Sequence, residues 1–198
     1  MRLFVAVWPP AEVVGLLEEL IRPDHPAVRW TTADQWHVTL RFLGEVADPD
    51  PVAAALAPIG AGGPVPVQVG PTTVVLGGEV LCLPVSGLEA LAGATAAVTE
   101  GMGRPSGPRP FAGHVTLARL RGGRRRGRRT ADGEASSLLD NGLPGSGRSG
   151  RACPSPLDDL AGAPFSASWV VDRVTVAVSE TRPGGARYRV VSGVALEP

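Results

Sequence analysis

The 198-residue chain contains no lysine, and all 19 of its basic residues are arginine. A Walker-type phosphate loop, a protein kinase, a Schiff-base enzyme and a nucleotidyl ligase with a lysine nucleophile each need an ammonium group. Those four classes are therefore excluded. Cysteine is almost as scarce: Cys82 and Cys153 alone cannot build a disulfide framework or a four-thiolate zinc site. No apolar run has the length of a membrane span. The run from Leu3 to Trp8 near the start is too short for a signal peptide. An excess of one charge is missing too, because 19 acidic residues balance the arginines, so no global field marks a nucleic-acid or membrane-surface protein. The expectation is a soluble, reduced, cytoplasmic protein that needs no membrane.

What is present is unevenly placed. Glycine (26) and proline (20) make up nearly a quarter of the chain, which predicts many turns and an unstructured stretch. Residues 119–151 hold nine arginines against three acids. Leu3 to Trp8 has the β-branched, apolar character of a strand, and helical spacing follows from Pro10 to Ile21, with Pro23 as the stop. Strands are predicted near Val28–Thr31 and over Trp36–Leu43, and a helix over Asp50–Ile59 with Pro51 in its first turn. Val65–Leu76 and Glu79–Val85 flank Gly77-Gly78 as a hairpin, and Ser86 is placed to cap a helix reaching about Met102. Strands at Phe111–Leu120, Trp169–Ser179 and Arg187–Leu196 complete an α+β pattern of mainly antiparallel sheet with helices on one face. Between Arg121 and Pro164 the periodicity is lost. This Arg/Gly-rich stretch is expected to be a disordered insertion, with an auxiliary RNA-binding arm as the alternative.

Only three histidines occur, and two begin the same tetrapeptide: His37-Val38-Thr39-Leu40 and His114-Val115-Thr116-Leu117. With this chain's composition, a given histidine would be followed by Val-Thr-Leu by chance roughly once in a thousand trials, so a repeat is the better explanation. Within a strand, residues i and i+2 project from one face about 7 Å apart. His37 and Thr39 then point one way, and Val38, Leu40 and Phe42 the other. His114 and Thr116 repeat the arrangement, backed by Val115 and Leu117.

Two such strands set face to face would surround one cavity with two imidazoles and two hydroxyls. Imidazole titrates near neutrality. One ring can take a proton from an attacking oxygen while the other gives one to the leaving oxygen of a phosphodiester. The hydroxyls of Thr39 and Thr116 can bond the non-bridging oxygens. That chemistry requires no metal and no cofactor, and the pair does not supply a zinc site, because further ligands are missing. His25, in Pro23-Asp24-His25-Pro26, has no partner pattern and belongs to a loop.

The paired His-x-Thr motifs resemble those of the 2H phosphoesterase superfamily, particularly its RNA 2′,3′-cyclic phosphodiesterases (2′-5′ RNA ligase-like proteins). The likeness extends to Arg2-Leu3-Phe4-Val5-Ala6, to Val28-Arg29-Trp30 with His37 through Glu45, to Phe111–Arg119, and to Val174–Ser179 with Tyr188. It covers nearly everything except 121–164. The resemblance implies one bilobal domain over 1–198, with two pseudo-symmetric lobes of antiparallel sheet, outer helices and the active site in the cleft between them. It implies hydrolysis of RNA 2′,3′-cyclic phosphate ends to 2′-phosphomonoesters, and the reverse 2′-5′ ligation without ATP. His37 would be the proton donor and His114 the base, roles that the residues alone do not assign. The expected partners are RNA ends or small cyclic nucleotides, and the expected state is a monomer. Alternatives are a catalytically idle nucleotide- or RNA-binding module and a phosphodiesterase for a small cyclic nucleotide.

Further residues are assigned by position. Arg41 shares the face of His37 by strict alternation and is expected to bind phosphate or the RNA backbone. Arg119, five residues beyond His114, falls on the opposite face by the same rule, yet the family resemblance implies a substrate-binding basic residue there. Tyr188 is expected to contact substrate. Trp30, like Tyr188, has the shape to stack on a base or sugar or to serve as packing, and Phe4 and Trp8 share that ambiguity.

Overall fold

The computed structural model describes residues 1–105, 110–121, 155–182 and 185–197. Arg2–Val7 forms β1, whose alternating Leu3, Val5 and Val7 are buried. Helix α1, Ala11–Glu18, begins at Pro10 and buries Val13 and Leu17 on one face. It ends three residues before the predicted Ile21, which is 89% exposed, because Pro23 disfavours helix in the residues ahead of it. Val28–Trp30 is β2 and Val38–Glu45 is β3, joined through a 3₁₀ turn at Ala33–Gln35. Helix α2 covers Asp50–Leu56 and continues as a 3₁₀ turn through Gly62.

The predicted long strand over 65–76 is divided into β4, Val65–Val69, and β5, Val74–Leu76. Gly70 makes the break. Its φ is +111°, and a Cβ there would collide with the carbonyl oxygen of Phe165. Val80–Ser86 is β6, and Glu89–Val98 is α3. Ser86 does not cap α3: the N-cap is Leu88, and the Glu89 carboxylate instead accepts the Gly87 N–H at 3.0 Å. His114–Leu120 is β7. The predicted strand at 169–179 is two, β8 over Ala167–Val171 and β9 over Arg173–Arg182, and Gly185–Ala195 is β10.

The ten strands form one curled antiparallel sheet in the order β10-β9-β1-β3-β7-β6-β4-β8, with β2 paired to β7 and β5 to β6. The two lobes expected from the sequence are its two halves. A strand–helix–strand unit occurs in each, β1-α1-β3 and β6-α3-β7, with its strands paired antiparallel. The halves meet at a single ladder pair, Val38 with Val115. Each helix then crosses the seam, α1 packing on β8 and α3 on β3. One core of Val, Leu and Ile side chains runs under both halves, including Val5, Val38, Leu83, Val115 and Val176. No helix among the described residues is long and apolar enough to cross a membrane.

The expectation of a structureless insertion over 121–164 needs correction at its ends. The Arg121 N–H donates to the Ala27 carbonyl. Residues 155–164 are packed: Leu157 is fully buried, and the Thr73 hydroxyl donates to Leu160 O at 2.7 Å while accepting the Ala163 N–H at 3.0 Å. The remainder of that stretch, including most of its arginines, lies outside the described residues. If 155–164 belongs to the cooperative fold, Leu157→Ala lowers unfolding free energy by about 2–5 kcal/mol. Urea denaturation followed by tryptophan fluorescence measures this, and an unchanged midpoint would contradict the packing.

Candidate functional site

Both His-x-Thr tetrapeptides lie beside the seam. The antiparallel register about Val38 and Val115 brings His37 level with Thr116, and Thr39 level with His114. All four side chains line one cleft of about 300 Å³. Their partners at the i+1 and i+3 positions, Val38, Leu40, Val115 and Leu117, are buried in the core behind.

Beyond the threonines, strict alternation fails in both strands. In the β1–β3 ladder, Val5 pairs with Arg41 and Ala6 with Thr39, so Leu40 is passed over. In the β6–β7 ladder, Leu81 pairs with Ala118 and Cys82 with Thr116, so Leu117 is passed over. Each is a β-bulge, which adds one residue and exchanges the faces of the residues that follow, in β3 as far as a second shift that passes over Leu43. The bulges occupy the same position, three residues after each histidine.

This corrects the assignment of Arg41. It is turned away from the cleft and buried on the helical side, where its guanidinium donates to Ala96 O near the end of α3 and lies 3.5 Å from Arg104 O. A cation against the last carbonyls of a helix complements the dipole. Its Nε has no hydrogen-bond partner among the described residues, and burial lowers its pKa, opposed by nearby Glu100. Phe42, expected in the core, is instead in the cleft, and so is Arg119. The bulge resolves the conflict over Arg119: five residues beyond His114, it faces the same way as that ring.

Each imidazole is tied by Nδ1 to the carbonyl two residues before it, His37 to Gln35 O at 2.8 Å and His114 to Ala112 O at 3.0 Å. A carbonyl only accepts, so Nδ1 carries the proton and Nε2 is the nitrogen available for chemistry. Gln35 is itself held at both ends, its Nε2 donating to Ala186 O of β10 at 2.6 Å and its Oε1 accepting the Thr32 N–H at 3.3 Å. His37 sits among three aromatic rings, with centroids 4.7 Å from Tyr188, 5.0 Å from Phe4 and 5.1 Å from Trp8. The Trp8 indole N–H donates to Thr175 Oγ1 at 2.9 Å. Burial, with smaller contributions from His114 and Arg119, pushes the His37 pKa down to about 4. Burial and Arg119 lower that of His114 as well. Both rings are neutral at pH 7 in the free protein.

Tyr188 lines the cleft, and burial raises its phenol pKa. Trp30 does not line it: its indole N–H donates to Pro23 O at 3.1 Å and its ring packs on the core. Arg2, Arg29, Thr31, Gln35 and Ser179 also line the cleft, with Thr181 and Ala186, and were not singled out from the sequence. Arg2 falls on the face of Phe4 by simple alternation, which was a usable signal. Arg29 and Gln35 reach the cleft only because the β9–β10 hairpin folds against them, and a Cβ on Gly185 would collide with the Arg29 guanidinium. Among the described residues, three guanidinium side chains line the cleft and no carboxylate does. Among the described residues, no three His, Cys, Asp or Glu side chains converge to hold a metal ion. Cys82 is buried and its thiol is pushed up to about 12, so it stays protonated.

No protein-family model matches the sequence, and no curated protein matches it. Among solved structures the fold is similar to that of E. coli LigT complexed with 3′-AMP, at 23% identity over 100% of this chain and 98% of that one, with a TM-score of 0.67. It is similar to TT0787 of Thermus thermophilus, at 24% identity over 99% and 98% of the two chains, with a TM-score of 0.66. A third neighbour, described as a phosphoesterase, is 26% identical over 100% and 98%, with a TM-score of 0.61. The chain has the LigT-like, 2H phosphoesterase-type fold.

The exchanged faces can be tested by ligand binding. Arg119→Met is expected to weaken binding of inorganic phosphate about tenfold or more by calorimetry, and Arg41→Met to leave it within about twofold. The latter should instead lower stability by about 1–3 kcal/mol through the Ala96 and Arg104 carbonyls it leaves without their donor. Equal loss of phosphate binding in both would contradict the bulge. A second expectation concerns pH. The folded protein binds the His37 proton more weakly than the unfolded chain, whose imidazole titrates near 6.5. The contribution is therefore complete above pH 6.5 and is lost as pH falls through about 4. Denaturation midpoints are expected to fall over this interval, and to fall less in His37→Gln.

Proposed function

We propose that the chain is a metal-independent phosphodiesterase that opens 2′,3′-cyclic phosphate ends of RNA to 2′-phosphomonoesters. The carrying observation is the cleft in which His37 and His114, each with Nδ1 tied to a carbonyl, stand with Thr39, Thr116 and Arg119. Likeness over the whole chain to phosphoesterase structures supports a 2H phosphoesterase-type activity. LigT has been crystallised with 3′-AMP, NADP⁺ and ATP, which supports phosphate-bearing nucleotides as the ligand class.

In this reading the cyclic phosphate lies between the rings, with its non-bridging oxygens on Thr39, Thr116 and Arg119. Nε2 of His114 takes a proton from water as the water oxygen attacks phosphorus. The bond from phosphorus to O3′ breaks in line, and Nε2–H of His37 protonates the departing oxygen. With a 5′-hydroxyl in place of water as the attacking group, the same forward steps break the bond to O3′ and join the ends by a 2′-5′ phosphodiester without ATP.

The proton on His37 has to arrive with the substrate, since the free ring is neutral at pH 7. An anion in the cleft raises both imidazole pKa values by direct attraction. The rings of Phe4, Trp8 and Tyr188 about His37 then offer the imidazolium an aromatic surrounding.

Wild-type protein is expected to convert nucleoside 2′,3′-cyclic phosphate to the 2′-phosphate in excess chelator, with a bell-shaped pH profile. His37→Ala and His114→Ala each lose about 10²–10⁴ in rate, and the double variant is little worse than either because the rings act as a unit. Wild-type inactivity, or full activity in both variants, rejects the assignment. Tight nucleotide binding without turnover would instead identify a binding module.

A further inference from the structure

Thr31 stands where the two histidine-bearing strands are tied together. It immediately follows β2, and its side chain is 6% exposed. Its backbone N–H donates to Leu117 O at 2.8 Å. Its Oγ1 lies 2.8 Å from Thr116 O and 2.8 Å from Leu117 O, and the Trp36 indole N–H points at the same Oγ1 from 3.0 Å. The inventory of protons fixes the direction of every bond. An indole N–H only donates, so Oγ1 accepts from Trp36. Both strand carbonyls only accept, so the single hydroxyl proton is shared between them.

Those carbonyls belong to the bulge. Leu117 is the residue that the β6–β7 register passes over, and Thr31 grips it from the opposite edge of β7 through two donors. Two residues later comes Arg119, which is in the cleft only because the bulge exchanged the faces of the strand. The other end of the link is equally well held. Trp36 is buried, precedes His37 directly, and carries the Arg22 guanidinium 4.9 Å over its ring. Arg22 in turn donates to Leu17 O of α1 at 2.8 Å. A hydrogen-bonded bridge thus runs from the residue before one imidazole to the bulge beyond the other.

We propose that Thr31 is a positioning residue whose hydroxyl, oriented by Trp36, locks the β7 bulge in the register that turns Arg119 into the cleft. The inference rests on the proposed function for its catalytic consequence, though its structural content does not. A valine at 31 keeps the branched shape and the backbone bond and removes only the hydroxyl. The bulge then loses one of its two clamps, and Trp36 loses its acceptor.

The test compares Thr31→Val, Thr31→Ser, Trp36→Phe, Arg119→Met and the Thr31→Val/Arg119→Met pair on a nucleoside 2′,3′-cyclic phosphate. Thr31→Val is expected to lose about 10- to 100-fold in kcat/KM, the scale of a misplacement near 1 Å. Thr31→Ser restores the hydroxyl and stays within about threefold of wild type. Placed on Arg119→Met, Thr31→Val should cost no more than about twofold further, because both changes remove the same contact. Trp36→Phe, which removes the indole N–H, is expected to show a smaller loss of the same non-additive kind, and it decides the matter if Thr31→Val does not fold. Wild-type rates in Thr31→Val, or a loss undiminished by Arg119→Met, would overturn the proposal.

A second readout does not need turnover. Arg119 lowers the His114 pKa, so Thr31→Val should raise the His114 titration seen by NMR, as Arg119→Met does. The other charged and titratable groups lining the cleft, His37, Arg2, Arg29 and Tyr188, are the same in both variants. No shift in Thr31→Val beside a clear shift in Arg119→Met overturns the positioning role. An inactive wild type with these shifts intact would overturn the reaction while leaving the positioning role standing.

Discussion

One ladder pair, Val38 with Val115, carries the registration of the whole site. Antiparallel pairing about that point sets each histidine level with the other strand's threonine. A slip of one residue would turn one of the two sets into the core. The pair is only one rung long, and its neighbours stabilise it indirectly. Both valines are buried, and α1 and α3 cross the seam to pack on the opposite half. The β7 strand is gripped along the same edge by β2 and by Thr31. The seam is therefore short in hydrogen bonds but broadly supported by packing.

Away from the seam, the bulge at the third residue after each histidine turns a symmetric backbone into an asymmetric cleft. At the fourth position stand Arg41 and Ala118, both directed away from the cleft, and at the fifth Phe42 and Arg119, both in it. The His37 side becomes aromatic, with Phe4, Trp8, Phe42 and Tyr188, while the His114 side receives a guanidinium. Two histidines that look interchangeable in sequence thus acquire different surroundings.

Much of this was legible in the sequence, and what was not has a common cause. Period-two alternation placed His37 with Thr39 and His114 with Thr116, since both pairs lie on the near side of the bulge. It put Arg41, Phe42 and Arg119 on the wrong faces because a bulge has no composition signal here: Leu40-Arg41 and Leu117-Ala118 share nothing beyond a leucine. The α+β order was readable from periodicity. The split at Gly70 carried a signal in Gly70-Pro71 that the strand pattern passed over, whereas valines continue on both sides of Asp172 and hide the split there. The segment 155–164 has loop composition, yet Thr73 anchors it with hydrogen bonds that no local pattern announces. Gln35 and Arg29 were hidden for another reason, since it is the packing of β10 from far along the chain that makes them part of the wall.

The electrostatics of the cleft follow from the same arrangement. Arg2, Arg29 and Arg119 line it, and among the described residues no carboxylate does. Charging either imidazole in the empty cleft would add a like charge to that group and strip water from the ring. Both terms disfavour the cation, and both histidines accordingly rest neutral. An entering phosphate reverses the first term and leaves the second, so proton affinity rises only when an anion is bound. A site built this way couples protonation to occupancy: the groups that make the free cleft hostile to a proton are the ones that draw in the ligand able to stabilise it.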